Sequence, residues 1–108
     1  MELINMTPHP INVCDNTGKT INTINPSGMI ARIKEVKQQF GFLNDVPLFK
    51  KSYGDVENLP EPSPTRIYIC SSQIVELLRG VRADVVAPDD FVRDNDGRII
   101  GCKTFWFA

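Results

Sequence analysis

A chain of 108 residues that is 42% hydrophobic and 23% charged fits one globular domain spanning residues 1–108. Its formal net charge of −1 supplies no long-range field towards nucleic acid polymers or an anionic membrane, so neither is expected as a partner. The cysteines, Cys14, Cys70 and Cys102, are odd in number and form no C-x-x-C, which argues against a disulfide framework and a zinc site and predicts buried, inert thiols.

No segment approaches the ~18 apolar residues of a membrane span. The start, Met1-Glu2-Leu3-Ile4-Asn5, lacks the basic and apolar regions of a signal peptide. A cytoplasmic protein is the expectation, with the sequon Asn5-Met6-Thr7 unused.

In chain order, Leu3–Met6 and Ile11–Cys14 read as short strands separated by Thr7-Pro8-His9-Pro10. Asp15-Asn16-Thr17-Gly18 predicts a hairpin turn, with Lys19–Ile24 as the return strand. Asn25-Pro26-Ser27-Gly28 is a further turn. Met29–Val36 fits a helix or a strand, and its β-branched content tips it to a strand. Val46–Tyr53 is its expected hairpin partner, with Gly41–Asp45 near the loop.

Leu59-Pro60-Glu61-Pro62-Ser63-Pro64-Thr65 predicts an extended, rigid surface connection. A proline-rich ligand for a groove is its functional alternative. Ile67-Tyr68-Ile69-Cys70 is the clearest buried strand. Ser71 and Ser72 suit the cap of a helix near residues 72–79, with Ile74, Leu77 and Leu78 facing the core and Gly80 closing it. Asp84–Ala87 is a short strand stopped by Pro88. Asp94-Asn95-Asp96-Gly97 is a strong turn into a last strand, Arg98–Phe107. These elements predict an α+β, β-rich domain: about seven short strands, mostly antiparallel or barrel-like, with one main helix.

Three motifs fail on spacing. Gly18-Lys19-Thr20 resembles the end of a phosphate-binding loop, but Val13 stands where the first glycine belongs and no helix follows. Asp94-Asn95-Asp96-Gly97 resembles a calcium loop, but Val92 and Lys103 occupy its first and twelfth ligand positions. His9, the single histidine, has no recognisable nucleophile partner. No cofactor is implied. What remains is a set of arginines, Arg32, Arg79, Arg82, Arg93 and Arg98, whose planar forks suit phosphates. Tyr68, Phe91 and Trp106 offer aromatic faces for a base. The structural alternative pairs the arginines with Asp84, Asp89, Asp94 and Asp96.

Several stretches together resemble a family of small proteins encoded by bacteriophages and prophages. They are Asn5–Asn12, Pro26-Ser27-Gly28 with Ala31-Arg32, Leu59-Pro60-Glu61-Pro62, Ile67–Ser72 and Arg93–Cys102. By analogy with small phage proteins, the resemblance implies a non-catalytic counter-defence factor. Such a factor binds and sequesters a nucleotide immune signal, a cyclic dinucleotide or an ADP-ribose derivative. On that reading Arg32 and Arg93 contact phosphates, and Tyr68 or Phe91 stacks on the base. One alternative is a contact inhibitor of a host defence protein, in the manner of anti-CRISPR proteins. The other is a small enzyme using Asp89, Asp90 and Asp94 with a metal. The terminal run Phe105-Trp106-Phe107 predicts a homo-oligomer, because three large aromatics call for burial.

Overall fold

The computed structural model describes residues 1–108 throughout. In chain order it contains β1 (Glu2–Asn5), β2 (Ile11–Cys14), β3 (Thr20–Ile24), β4 (Arg32–Leu43), β5 (Val46–Glu57), β6 (Arg66–Ile69), α1 (Ser72–Leu77), β7 (Val85–Arg93) and β8 (Ile99–Trp106). Six strands form one sheet in the order β1-β6-β7-β8-β2-β3, whose two ends meet where Asn5 of β1 bridges Pro26 just past β3, in a barrel-like manner, and β4 pairs only with β5. The β-rich α+β class with a single helix therefore stands. The pairing is mixed, however, rather than mostly antiparallel. β1–β6, β6–β7 and β2–β8 are parallel, while β2–β3, β4–β5 and β7–β8 are antiparallel. Strands joined by tight turns pair antiparallel, and the connection through α1 allows β6 and β7 to run parallel.

The two turns at the ends of the β2–β3 and β7–β8 hairpins share one construction. Asp15 donates its N–H to the Lys19 carbonyl (2.9 Å) and accepts at its own carbonyl from Gly18 N–H (3.0 Å). Asp94 does the same with Arg98 (2.9 Å) and Gly97 (3.0 Å). Each aspartate carboxylate also accepts backbone N–H groups inside its turn, from Thr17 and Lys19 in one and from Asp96 and Arg98 in the other. Gly18 and Gly97 both take the left-handed conformation that ends such a turn. Carboxylates occupied in this way explain why two attractive motifs are hairpin turns.

The main core gathers Met6, Ala31, Tyr68, Cys70, Ile74, Val75, Val85 and Ala87 between the sheet and α1. Ser71 caps α1, its hydroxyl accepting from Ile74 N–H. The helix spans Ser72–Leu77, shorter than expected, and the chain then turns through Gly80 in the left-handed region. Its buried face is Ile74 and Val75, with Leu78 packed beside them. Leu77 corrects the expected face, being 39% exposed beside Ile33 and Tyr53. A helix this short holds only one turn and a half, so the direction set by the cap decides which side chains point inwards.

Asn5 is the one buried polar residue, and all of its hydrogen-bonding capacity is used. Its amide nitrogen donates to the carbonyls of His9 (2.8 Å) and Ile24 (3.0 Å), and its oxygen accepts from Thr7 N–H and hydroxyl. The apparent sequon is thus a structural knot that fixes the Thr7–His9 bend against the end of β3.

Pro88 does not stop β7, contrary to expectation. β6 ends where Ile69 pairs with Val86. From Ala87 onwards β7 has a partner on one side only, β8, so an edge-like position accepts proline without a lost ladder bond.

β4 and β5 are longer than expected and form an arm of two 12-residue strands, about 40 Å long at the usual rise per residue. Asn44 and Asp45 both have positive φ, as a two-residue type I′ turn requires. Ile33 and Val56 join the core at the base, and Asn58 ties the exit to the Ile30 carbonyl (3.2 Å). Beyond that base both faces of the arm are exposed. The Cα radius of gyration, 16.8 Å, exceeds the roughly 13 Å of a compact chain of this length because the arm projects.

Candidate functional site

Two features stand out from this scaffold: an open groove on the body, and the end of the arm. The groove has a volume of about 470 Å³. Pro10, Ile11 and Asn12 form its wall on the β2 side, Pro88 and Phe91 of β7 form the opposite wall, and Ile99–Cys102 of β8 form the floor. His9 stands at the rim. Asn12 is held in place, its amide donating to the Ile100 carbonyl and its oxygen accepting from Thr23. Gly101 is required here. A Cβ at this position would lie 2.6 Å from Cys14 Sγ and 2.9 Å from the Asn12 carbonyl oxygen, so only glycine lets β8 approach β2 this closely.

Phe91 is half-exposed and lines the groove. The other three expected nucleotide contacts lie elsewhere. Tyr68 is 1% exposed and forms part of the core, with one ring face beneath the Arg82 guanidinium at 5.9 Å, so it offers no surface to a base. Its hydroxyl is buried without a hydrogen-bond partner. Arg32 is exposed at the base of β4, opposite Glu57. Arg93 donates to the carbonyl of Gly97 in its own turn (2.8 Å). Neither arginine lines the groove, which contains no Lys or Arg side chain. Trp106 packs against the core, and its indole N–H reaches Ser72 Oγ at 3.4 Å.

The remaining arginines divide by burial. Arg82 forms a bidentate pair with Asp84 at 2.8 and 2.7 Å and donates to the Pro60 carbonyl at 2.9 Å. Both side chains of this pair are only about 15% exposed. The contact with Arg82 holds the Asp84 carboxyl below its ordinary pKa, against the opposing effect of burial. This pair locks the proline-rich loop onto the body and is structural. Arg79 pairs with Glu76 on the open surface of α1. Asp89, Asp90 and Asp94 do not converge with a further ligand into a group able to hold a metal. Asp90 accepts from the Thr104 hydroxyl (2.9 Å) and has a positive φ of 48°. Cys14, Cys70 and Cys102 are all buried and free. Burial pushes the Cys70 thiol up to about 11 and raises that of Cys102, so neither is poised as a nucleophile near neutral pH.

The arm end is the feature that the sequence pattern did not single out. Phe40, Phe42, Leu43, Val46, Leu48 and Phe49 are all exposed within ten residues. Cross-strand pairing sets Phe42 opposite Pro47 and Leu43 opposite Val46, so neighbouring pairs turn apolar groups to opposite faces. Behind this tip the shaft carries Lys34, Lys37, Lys50 and Lys51, of which Lys51 pairs with Glu35 at 3.3 Å.

No helix is long and apolar enough to cross a membrane. Comparison with protein families, curated proteins and solved structures found no match.

Proposed function

We propose that the chain is a non-catalytic binding factor that works by protein contact, with the β4–β5 arm as its working element. The carrying observation is the tip, where six large apolar side chains are exposed on both faces of a ribbon that leaves the body. Single exposed apolar residues are ordinary, but a contiguous cluster of this kind marks an interaction surface. An isolated two-stranded ribbon is only marginally stable in water, so a partner that covers the tip also holds the arm in shape. Within the phage-type resemblance, this favours blocking by surface contact over nucleotide sequestration, and it implies action in the host cytoplasm. The sequestration reading needs phosphate-binding cations beside a stacking ring, whereas the groove at Phe91 contains neither Lys nor Arg.

Photocrosslinking tests this reading. A photoreactive phenylalanine analogue in place of Phe40, introduced in cells that express the chain, is expected to give discrete protein adducts. The same analogue in place of Tyr53, near the arm base, is the control for random collisions. Absence of adducts specific to the tip refutes the proposal. A thermal-shift screen against cyclic dinucleotides and ADP-ribose derivatives tests the rival reading. A ligand present at about 100 times its dissociation constant adds about 2.7 kcal/mol and would move the proposal to the groove.

A further inference from the structure

The apolar tip ends at a collar of lysines, and the register of the arm divides them between its two faces. Directly opposed residues share a face, and faces alternate along each strand. One face therefore carries Phe42, Pro47 and Phe49 and, behind them, the opposed pair Lys37 and Lys51. The other carries Leu43, Val46 and Leu48 and, behind them, Lys50. On β5, Lys51 follows Phe49 and Lys50 follows Leu48 by two residues, about 7 Å.

The collar is not neutralised within the arm. Glu35 pairs with Lys51 (3.3 Å), while Lys37 and Lys50 have no carboxylate partner, so one uncompensated ammonium backs each apolar face. Lys37 lies over the Phe49 ring, 5.5 Å from its centroid, which sets the ammonium at the border of the apolar surface and leaves its charge in place. Asp45 stands at the apex, beyond Val46, which is itself four residues or about 14 Å from Lys50 along β5. That exceeds the roughly 8 Å screening length at physiological salt, so the apex carboxylate does not cancel the collar. Like charges placed directly opposite each other, as Lys37 and Lys51 are, also destabilise a ribbon that is only marginally stable alone.

Resting on the reading of the arm as a protein-contact element, we propose that its partner is a different protein whose cleft has two apolar walls and a carboxylate at each lip. The walls cover the two faces of the tip. Asp or Glu side chains at the lips meet Lys37 on one side and Lys50 on the other, in charge-assisted hydrogen bonds that also relieve the repulsion of the free collar. The cleft is about 14 Å deep, the rise from Val46 to Lys50, and has a polar floor for Asn44 and Asp45. An anionic bilayer also favours lysines behind an apolar tip, but it is the poorer host. Asn44 and Asp45 would enter the hydrocarbon first, and both edges of the ribbon present N–H and C=O groups that hydrocarbon cannot satisfy.

Photocrosslinking from position 40 at limiting expression reads the charge requirement. Lys37→Gln combined with Lys50→Gln is expected to lower the yield of tip adducts by about ten-fold or more, since charge-assisted bonds are lost at both lips. Lys37→Arg combined with Lys50→Arg keeps both charges and is expected to keep the yield, which separates loss of charge from loss of the ribbon. On the purified wild-type adduct, a zero-length carbodiimide is expected to join the Lys37 and Lys50 amines to Asp or Glu of the partner, read by peptide mass spectrometry. Undiminished adducts of the glutamine variant, the behaviour of edge lysines that only deter strand pairing, would overturn the proposal, as would equal loss in the arginine variant. So would a wild-type adduct with no carbodiimide link at either lysine, or adducts made of two copies of this chain or of phospholipid. Tip adducts with a protein that ignore the charge changes would leave the arm as a contact element, whereas absence of any tip adduct would remove both readings.

Discussion

Replacing Asp84 with alanine leaves Arg82 without its carboxylate, about 15% exposed beneath the proline-rich loop. Three favourable contacts converge on that guanidinium: the bidentate carboxylate, the Pro60 carbonyl and the Tyr68 ring. Surface ion pairs contribute about 0–1 kcal/mol, and breaking a fully buried pair costs about 3–5 kcal/mol. A pair at this depth falls between the two, so Asp84→Ala is expected to cost about 2 kcal/mol. For a domain of this size that lowers the melting temperature by about 10 °C. Glu76→Ala is the internal control, since it breaks an equally well-formed Arg–carboxylate pair that stands in open solvent. Its melting curve is expected to stay close to that of the wild type. The acid limb gives a second readout. The Asp84 pKa is lowered in the fold, mainly by its bonds to Arg82, so the stabilisation is present above the unfolded value of about 3.9 and is lost as pH falls through the folded value. The variant therefore has a shallower loss of stability below about pH 4. Equal effects of Asp84→Ala and Glu76→Ala in thermal melts would refute the assignment of the Arg82–Asp84 pair as the lock.

Ile74→Ala should cost about 3 kcal/mol in chemical denaturation, while Leu77→Ala should cost less than about 1, because only Ile74 is enclosed by the core; equal losses would return Leu77 to the buried face. Gly101→Ala should destabilise by about 1–3 kcal/mol, and adding Cys14→Ala should recover part of that loss by removing the nearer of the two clashing atoms. Stability should also fall in alkali: the Cys70 thiol, ordinarily at 9.0, is pushed by burial up to about 11, so its contribution is intact below 9.0 and is lost as pH rises through about 11. Melting curves of Cys70→Ala across that range should show a correspondingly smaller decline.

Local chemistry made much of this fold legible. Asp-Asn-x-Gly announced both hairpin turns, Ser71 and Gly80 bracketed the helix, and the apolar run Ile67–Cys70 marked the central strand. What failed was whatever depends on neighbours distant in sequence. Parallel pairing of β1 with β6 across the whole arm leaves no local mark. Pro88 reads as a stop unless one knows that β6 has already ended beside it. Within the expected nucleotide site, residue type suggested Tyr68 and Arg93 correctly as an aromatic and a cation. It could not reveal that one is sealed in the core and that the other donates to a carbonyl of its own turn. The hairpin of the arm was expected and is present, but its length and projection were not legible, for a related reason. With both faces in solvent, its strands carry no alternation of buried and exposed residues, and the expected strands ended at Val36 and Tyr53. The C-terminal aromatics pointed to a second subunit, yet Phe105 and Trp106 are half-buried within their own chain and only Phe107 stands free.

The central claim is that the arm tip works by being covered with protein, and hydrogen–deuterium exchange reads this directly when the free chain is compared with its tip-crosslinked adduct. Backbone amides of residues 40–49 have only the marginal protection of an isolated ribbon when the tip is free, and strong protection when it is covered. The account predicts that protection of this segment is higher in the adduct than in the free chain, while that of the core strand Arg66–Ile69 stays constant. Equally rapid exchange of residues 40–49 in both would contradict it.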